Sequence, residues 1–179
     1  MPRLILLGVG AARSPRFAPA GLLVEYGHTR VGIDGGAGSE PPENVHAWLV
    51  RDGGAHPGLH RIAEETGMRP PAVAPFRHGP LHVDPLPAGG GVYGYRIVAG
   101  HRTAVWAPEF AAFPGWAERA DLAFAGTGPD LGATAAAARR LEVRRLVFVL
   151  LDEPVFAALD AGEDPPFGEW GEEGGQYRM

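Results

Sequence analysis

Two runs, residues 92–98 and 102–107, are rich in β-branched and aromatic side chains, and only Ala99-Gly100-His101 separates them. A stretch that short with a central glycine predicts a β-hairpin. A lone hairpin is marginal in water, so this one must pair with further strands and be covered on a face. The rest of the chain offers the partners. Residues 22–26 and 30–33 flank Gly27-His28-Thr29 and predict a second hairpin. Short strands are also expected at 4–7, 46–50, 73–76, 81–86 and 122–125. The continuous apolar run 146–151 reads as a strand buried on both faces.

Three segments carry helical signals. In 57–66, Leu59, Ile62 and Ala63 recur at helical spacing, Pro57 stands in the first turn and Gly67 follows the end. Residues 131–141 are alanine-rich and close on Arg139-Arg140, which suits the negative end of a helix dipole. Residues 153–160 tolerate Pro154 at their start. From about residue 162 onward Pro, Gly and Glu dominate, so an irregular acidic tail is expected. The order is strands, helix, strands, helix, strand, helix. It predicts a single α/β domain over 1–179: two facing sheets with helices outside, a shortened four-layer αββα sandwich.

Composition removes several chemistries. The chain has no cysteine, so disulfides, thiolate metal sites and cysteine nucleophiles are excluded. All 16 basic residues are arginine, which excludes Schiff-base lysines and a P-loop lysine. The only serines, Ser14 and Ser39, lie outside any Gly-x-Ser-x-Gly elbow. A net charge of −5 argues against nucleic acid as a partner. No apolar run approaches the roughly 20 residues that span a bilayer, and the N-terminal run is too short for a signal peptide. The expectation is a cytoplasmic protein with no membrane contact.

The segments Leu6-Leu7-Gly8-Val9-Gly10-Ala11-Ala12, Ala20-Gly21-Leu22-Leu23-Val24-Glu25-Tyr26 and Val31-Gly32-Ile33-Asp34-Gly35-Gly36 come in that order. They are followed by Gly89-Gly90-Gly91-Val92-Tyr93-Gly94-Tyr95, Val105-Trp106-Ala107-Pro108-Glu109 and Leu146-Val147-Phe148-Val149-Leu150. This succession resembles the metallo-β-lactamase superfamily, in the branch of ribonuclease Z-like and phosphonate-pathway phosphodiesterase-like proteins. The resemblance implies that fold and a site for one or two divalent metals, often zinc. Such a metal lowers the pKa of a bound water so that hydroxide forms near neutral pH.

The ligands that the resemblance implies are mostly missing. Against the family's His-x-His-x-Asp-His loop, only His56 matches. The leading histidines fall on Arg51 and Gly53, and the aspartate falls on Ala55. A later histidine falls near Gly90, the bridging aspartate near Glu109, and the last histidine near Leu150. One histidine and one lengthened carboxylate cannot fix a catalytic zinc, which takes three protein ligands and a water. Arg51 adds a positive charge there. The resemblance implies that Asp34 is structural, accepting hydrogen bonds without ligating.

The first expectation is therefore a degenerate member of this fold with no cofactor, non-catalytic or altered in activity. It binds a small molecule or a protein partner through a remnant cleft around Asp34, Asp52, His56 and Glu109. The alternative is a metal-dependent hydrolase of phosphodiesters or esters, with zinc or another divalent metal on an unconventional set: His56, His60, His78, His82 and Glu109. In that set His56 and His60 stand one helical turn apart, and Glu64 extends the same face. His82 and Asp84 share a face of an extended segment. A third option is a homodimer joined through the aromatic group Trp106, Phe110, Phe113 and Trp116.

Overall fold

The computed structural model describes residues 1–53 and 57–179. The first half of the chain builds one sheet. β1 (Arg3–Gly8), β2 (Gly21–Tyr26) and β3 (Thr29–Asp34) run antiparallel in sequence, and β4 (Ala47–Leu49) adds parallel to β3. Helix α1 (Pro57–Thr66) follows. The second sheet begins with β5 (Phe76–His78), β6 (Leu81–Gly89), β7 (Val92–Ala99) and β8 (Arg102–Ala107), paired antiparallel in turn. Then β9 (Leu122–Ala125), helix α2 (Leu131–Arg140), β10 (Leu146–Phe148) and helix α3 (Glu153–Ala161) continue it with parallel strands.

The period-two pattern of β4 shows how the layers stack. Leu49 joins the core shared by both sheets, with Leu4, Leu22 and Ile33 from the first sheet and Leu81, Ile97 and Trp106 from the second. Its neighbours Trp48 and Val50 point the other way and pack against Leu59 and Ala63 of α1. Strands β9 and β10 are buried at every position. That is the mark of parallel strands sandwiched between the opposite sheet and their own crossover helix.

Several sequence expectations need correction. The segment after residue 162 is not irregular: β11 (Glu169–Trp170) pairs parallel with β10, and β12 (Gln176–Arg178) pairs antiparallel with β1. Each closes one edge of a sheet. Their aromatics anchor them, Trp170 lying 5.6 Å from the Phe148 ring and Tyr177 5.1 Å from Phe124. The strand expected at 73–76 sits at Phe76–His78, because its place is set by register against β6, Phe76 opposite Val83. β6 runs past residue 86 to Gly89, through Pro85 and Pro87. β5 pairs only with residues 81–83, so β6 is a free edge there and the prolines forfeit no ladder bond. The strand expected over 146–151 stops at Phe148, and Leu150 takes a left-handed backbone with φ 58°.

No described helix is long and apolar enough to cross a membrane.

Candidate binding cleft

The parallel strands bring their C-terminal ends to one side of the sandwich. In the first sheet β3 ends in Asp34, and β4 leads through Val50 to Arg51. In the second, β8 leads to Pro108-Glu109, β9 to Gly126-Thr127, and β10 to Leu150. Clefts at the carboxyl ends of parallel strands are where α/β folds place their ligands.

Asp34 is 4% exposed and has φ 57°, a left-handed turn that aspartate tolerates better than most residues. Three N–H groups converge on its carboxylate. The indole of Trp106 donates to Oδ2 (2.7 Å), and the backbone N–H of Arg51 donates to Oδ1 (3.0 Å). The Arg51 guanidinium completes the set, Nη1 lying 3.4 Å from Oδ2. Trp48 fixes the turn from the other side, its indole donating to the Asp34 carbonyl (2.8 Å). No described buried polar side-chain atom is left without a partner.

Arg51 is the hub. Its Nε lies 3.0 Å from Oε2 of Glu109, so one guanidinium spans a carboxylate from each sheet. Its carbonyl accepts from the backbone N–H of Tyr93 (2.9 Å), which ties the loop after β4 to β7. The side chains of Arg51 and Asp34 are 9% and 5% exposed, whereas that of Glu109 is 46% exposed. The Asp34 pair is therefore screened little, and the Glu109 pair is wetted by solvent.

Below this pair the phenol of Tyr95, fully buried, donates to the carbonyl of Val50 (2.6 Å). Burial, and then the charge of Asp34, push its pKa well above the ordinary value near 10. A phenol that holds its proton more tightly when folded contributes stability that is fully present below pH 10 and declines above it. Unfolding free energy is thus expected to fall on titration above about pH 10, and Tyr95→Phe should flatten that fall. An unchanged slope in the variant would contradict it.

Two cavities flank this centre. One of about 700 Å³ is lined by Asp34, Arg51, Arg13, Pro19, Leu59 and Ile62 among others. A second of about 430 Å³ is lined by Glu109, Asp152, Thr127, Phe110 and Gly90 among others. Leu150 borders both.

The residues singled out in the sequence fall in different places. Asp34 and Glu109 are joined through Arg51, and Asp52 follows it, half-buried. His56 lies outside the described residues. His60 is exposed on α1 and does not line the large cavity, although Arg61 and Ile62 do. His82 pairs across to Arg77 in the β5–β6 ladder, and His78 stands beside His46, ring centres 6.3 Å apart. Asp84 is ion-paired with Arg77 (2.6 Å). His82 is seven strand positions from Gly89, which lines the cavity of Glu109; at ~3.3 Å per residue that is roughly 23 Å. Among the described residues, no three His, Asp or Glu side chains converge where a metal could be held.

Among the described residues, the donor set at this centre does not fit a zinc ion. The Asp34 oxygens are already taken by three N–H groups, a guanidinium has donors only, and Leu150 offers no electron pair. Trp106 and Tyr95 were not foreseen as polar members of the site. The available signal was an indole and a phenol in otherwise apolar strands, since a buried N–H or O–H of that kind needs an acceptor.

No protein-family model matches the chain, and no curated protein matches it in sequence. Solved structures do match. A diphosphatase from the PhnP family superposes over 100% of this chain and 98% of its own, with a TM-score of 0.74 and 16% identity. YhfI from Bacillus subtilis, a metallo-β-lactamase fold protein, covers 99% and 100% with a TM-score of 0.71 and 15% identity. The short form of human tRNase Z covers 99% of both chains with a TM-score of 0.68 and 12% identity. The chain has the metallo-β-lactamase fold.

Proposed function

We propose that this chain is a non-hydrolytic version of the fold, which binds a small molecule or a protein partner through the cleft beside Asp34 and Glu109 and needs no cofactor. One observation carries the reading. A guanidinium, buried and ion-paired to both carboxylates, stands where the family resemblance implies the first metal-binding histidine. Arginine stays protonated at any pH a protein survives, so it neither donates an electron pair to a metal nor removes a proton from water. Leu150 occupies the other end of the same centre without a donor. What such a site keeps is a shaped cavity with fixed charges, which suits binding.

The names of two similar structures, a diphosphatase and a tRNase Z, favour a second reading. In it the chain hydrolyses phosphodiesters or esters with a divalent metal held through His56, which lies outside the described residues, together with Glu109; His60, His78 and His82 do not converge with Glu109 and drop out of that set.

One experiment decides between them. The purified full chain is dialysed and assayed for metal by elemental analysis. It is then screened on bis(p-nitrophenyl) phosphate and p-nitrophenyl acetate with zinc or manganese added. The expected result is no stoichiometric metal, no turnover above the uncatalysed rate and a Tm unmoved by chelator. Metal held at one equivalent or more, lost together with turnover in His56→Ala, would establish the second reading instead.

A further inference from the structure

The larger cavity has hydrogen-bonding capacity left over, and it is on the donor side. Its acidic side chains are engaged. Asp34 takes three donors, Glu40 accepts from the backbone N–H of Gly38 (3.1 Å), and Glu65 pairs with Arg61 (3.5 Å). Its donors are not used up. Arg51 spends Nε on Glu109 and Nη1 on Asp34, and its Nη2 has no acceptor among the described residues. Arg13, exposed at the rim on the loop after β1, has no counter-charge among the described residues. On the facing loop the backbone N–H groups of Gly36 and Ala37 likewise have no acceptor among the described residues. Pro19, Leu59 and Ile62 add apolar surface to the same cavity.

From this we infer that the 700 Å³ cavity binds a small organic anion, a carboxylate or a phosphate monoester. Its charged head is held between Arg13 and the Nη2 of the Arg51 guanidinium, and its apolar body lies on Leu59 and Ile62. The inference rests on the binding role proposed above and adds the class of ligand. With Nε and Nη1 engaged, Nη2 can still donate to one oxygen of such a head group while Arg13 takes another, and charge-assisted bonds of that kind are the strong ones. Arg51 is already clamped by Asp34 and Glu109, so little side-chain entropy is lost on binding.

The test titrates the full chain with four probes of similar size: phenyl phosphate, benzoate, benzyl alcohol and benzylamine. Binding is followed by calorimetry and by ligand NMR. Saturable binding of phenyl phosphate, benzoate or both is expected, weakened at least tenfold in Arg13→Gln and lost in Arg51→Met. Arg102→Gln, at an exposed arginine that lines neither cavity, should change nothing. The stronger of the two anions tells phosphate from carboxylate recognition. Preference for benzylamine or benzyl alcohol, with the anions inert, overturns the anion inference but leaves a binding cleft. Anion binding indifferent to Arg13→Gln and Arg51→Met overturns the location. No binding by any probe at about 10 mM, a free energy weaker than roughly −3 kcal/mol, overturns the inference. Release of phenol from phenyl phosphate overturns the binding reading itself.

Discussion

Asp34→Ala is expected to cost about 4–6 kcal/mol of folding stability: about 3–5 for stranding a buried guanidinium, and about 1 because alanine resists the left-handed backbone that aspartate accepts. The carboxylate is the acceptor for the Trp106 indole, the Arg51 backbone and the Arg51 side chain at once. All three donors are buried, and of them the Trp106 indole and the Arg51 backbone N–H are the ones whose lost bonds water does not readily replace, since the Arg51 guanidinium borders the larger cavity. Asp34→Asn keeps the backbone preference and one acceptor oxygen. It turns an amide N–H₂ toward the guanidinium, so its cost should be about half as large. Urea unfolding followed by tryptophan fluorescence measures both. If the two variants agree within about 0.5 kcal/mol, charge at position 34 contributes little. A cost of 4–6 kcal/mol is a large share of the 5–15 kcal/mol available to a typical domain. Asp34→Ala is therefore expected to fold only partly at 37 °C.

The sequence made the local elements visible and left the long-range ones hidden. The helix expected over 57–66 has those bounds, and the hairpin of 92–98 and 102–107 appears as β7 and β8. Both depend on periodicity and turn residues within one window. β11 and β12 have two and three residues, in a segment of Gly, Pro and Glu, and exist because they pair with strands β10 and β1 far earlier in the chain. The isolated aromatics Phe167, Trp170 and Tyr177 were the local hint of burial there. The site divides in the same way. Asp34 could be picked out as a carboxylate closing a strand, and Glu109 through the family resemblance. Arg51 looked like a repulsive intruder at a metal position, because its partners stand elsewhere in the chain. The structure places it between those carboxylates, so it supplies the charge balance of the centre. Trp106 donates to a residue 72 positions away, which no local pattern encodes.

Arg51→Met tests which of the two carboxylates the guanidinium serves. Methionine keeps the length and apolar stem of the side chain while removing every donor, so the loss is charge and hydrogen bonding more than volume. Asp34, 5% exposed at the side chain, would keep its negative charge with only two N–H donors, a penalty of about 3 kcal/mol. Glu109→Gln should cost under about 1 kcal/mol, since that carboxylate is nearly half exposed and water replaces its partner. The double variant Asp34→Asn with Arg51→Met removes both buried charges. It should recover at least about 1.5 kcal/mol relative to the sum of the singles, because a buried pair replaced whole costs far less than a pair broken. Additive costs would mean that the pair is not coupled. A Glu109→Gln penalty as large as that of Arg51→Met would make the inter-sheet contact the important one. If the coupling has the expected size, displacing the guanidinium would weaken metal binding at this centre by roughly tenfold or more. The displaced cation also holds up the fold, and a histidine placed at position 51 would first have to offset the charge left on Asp34.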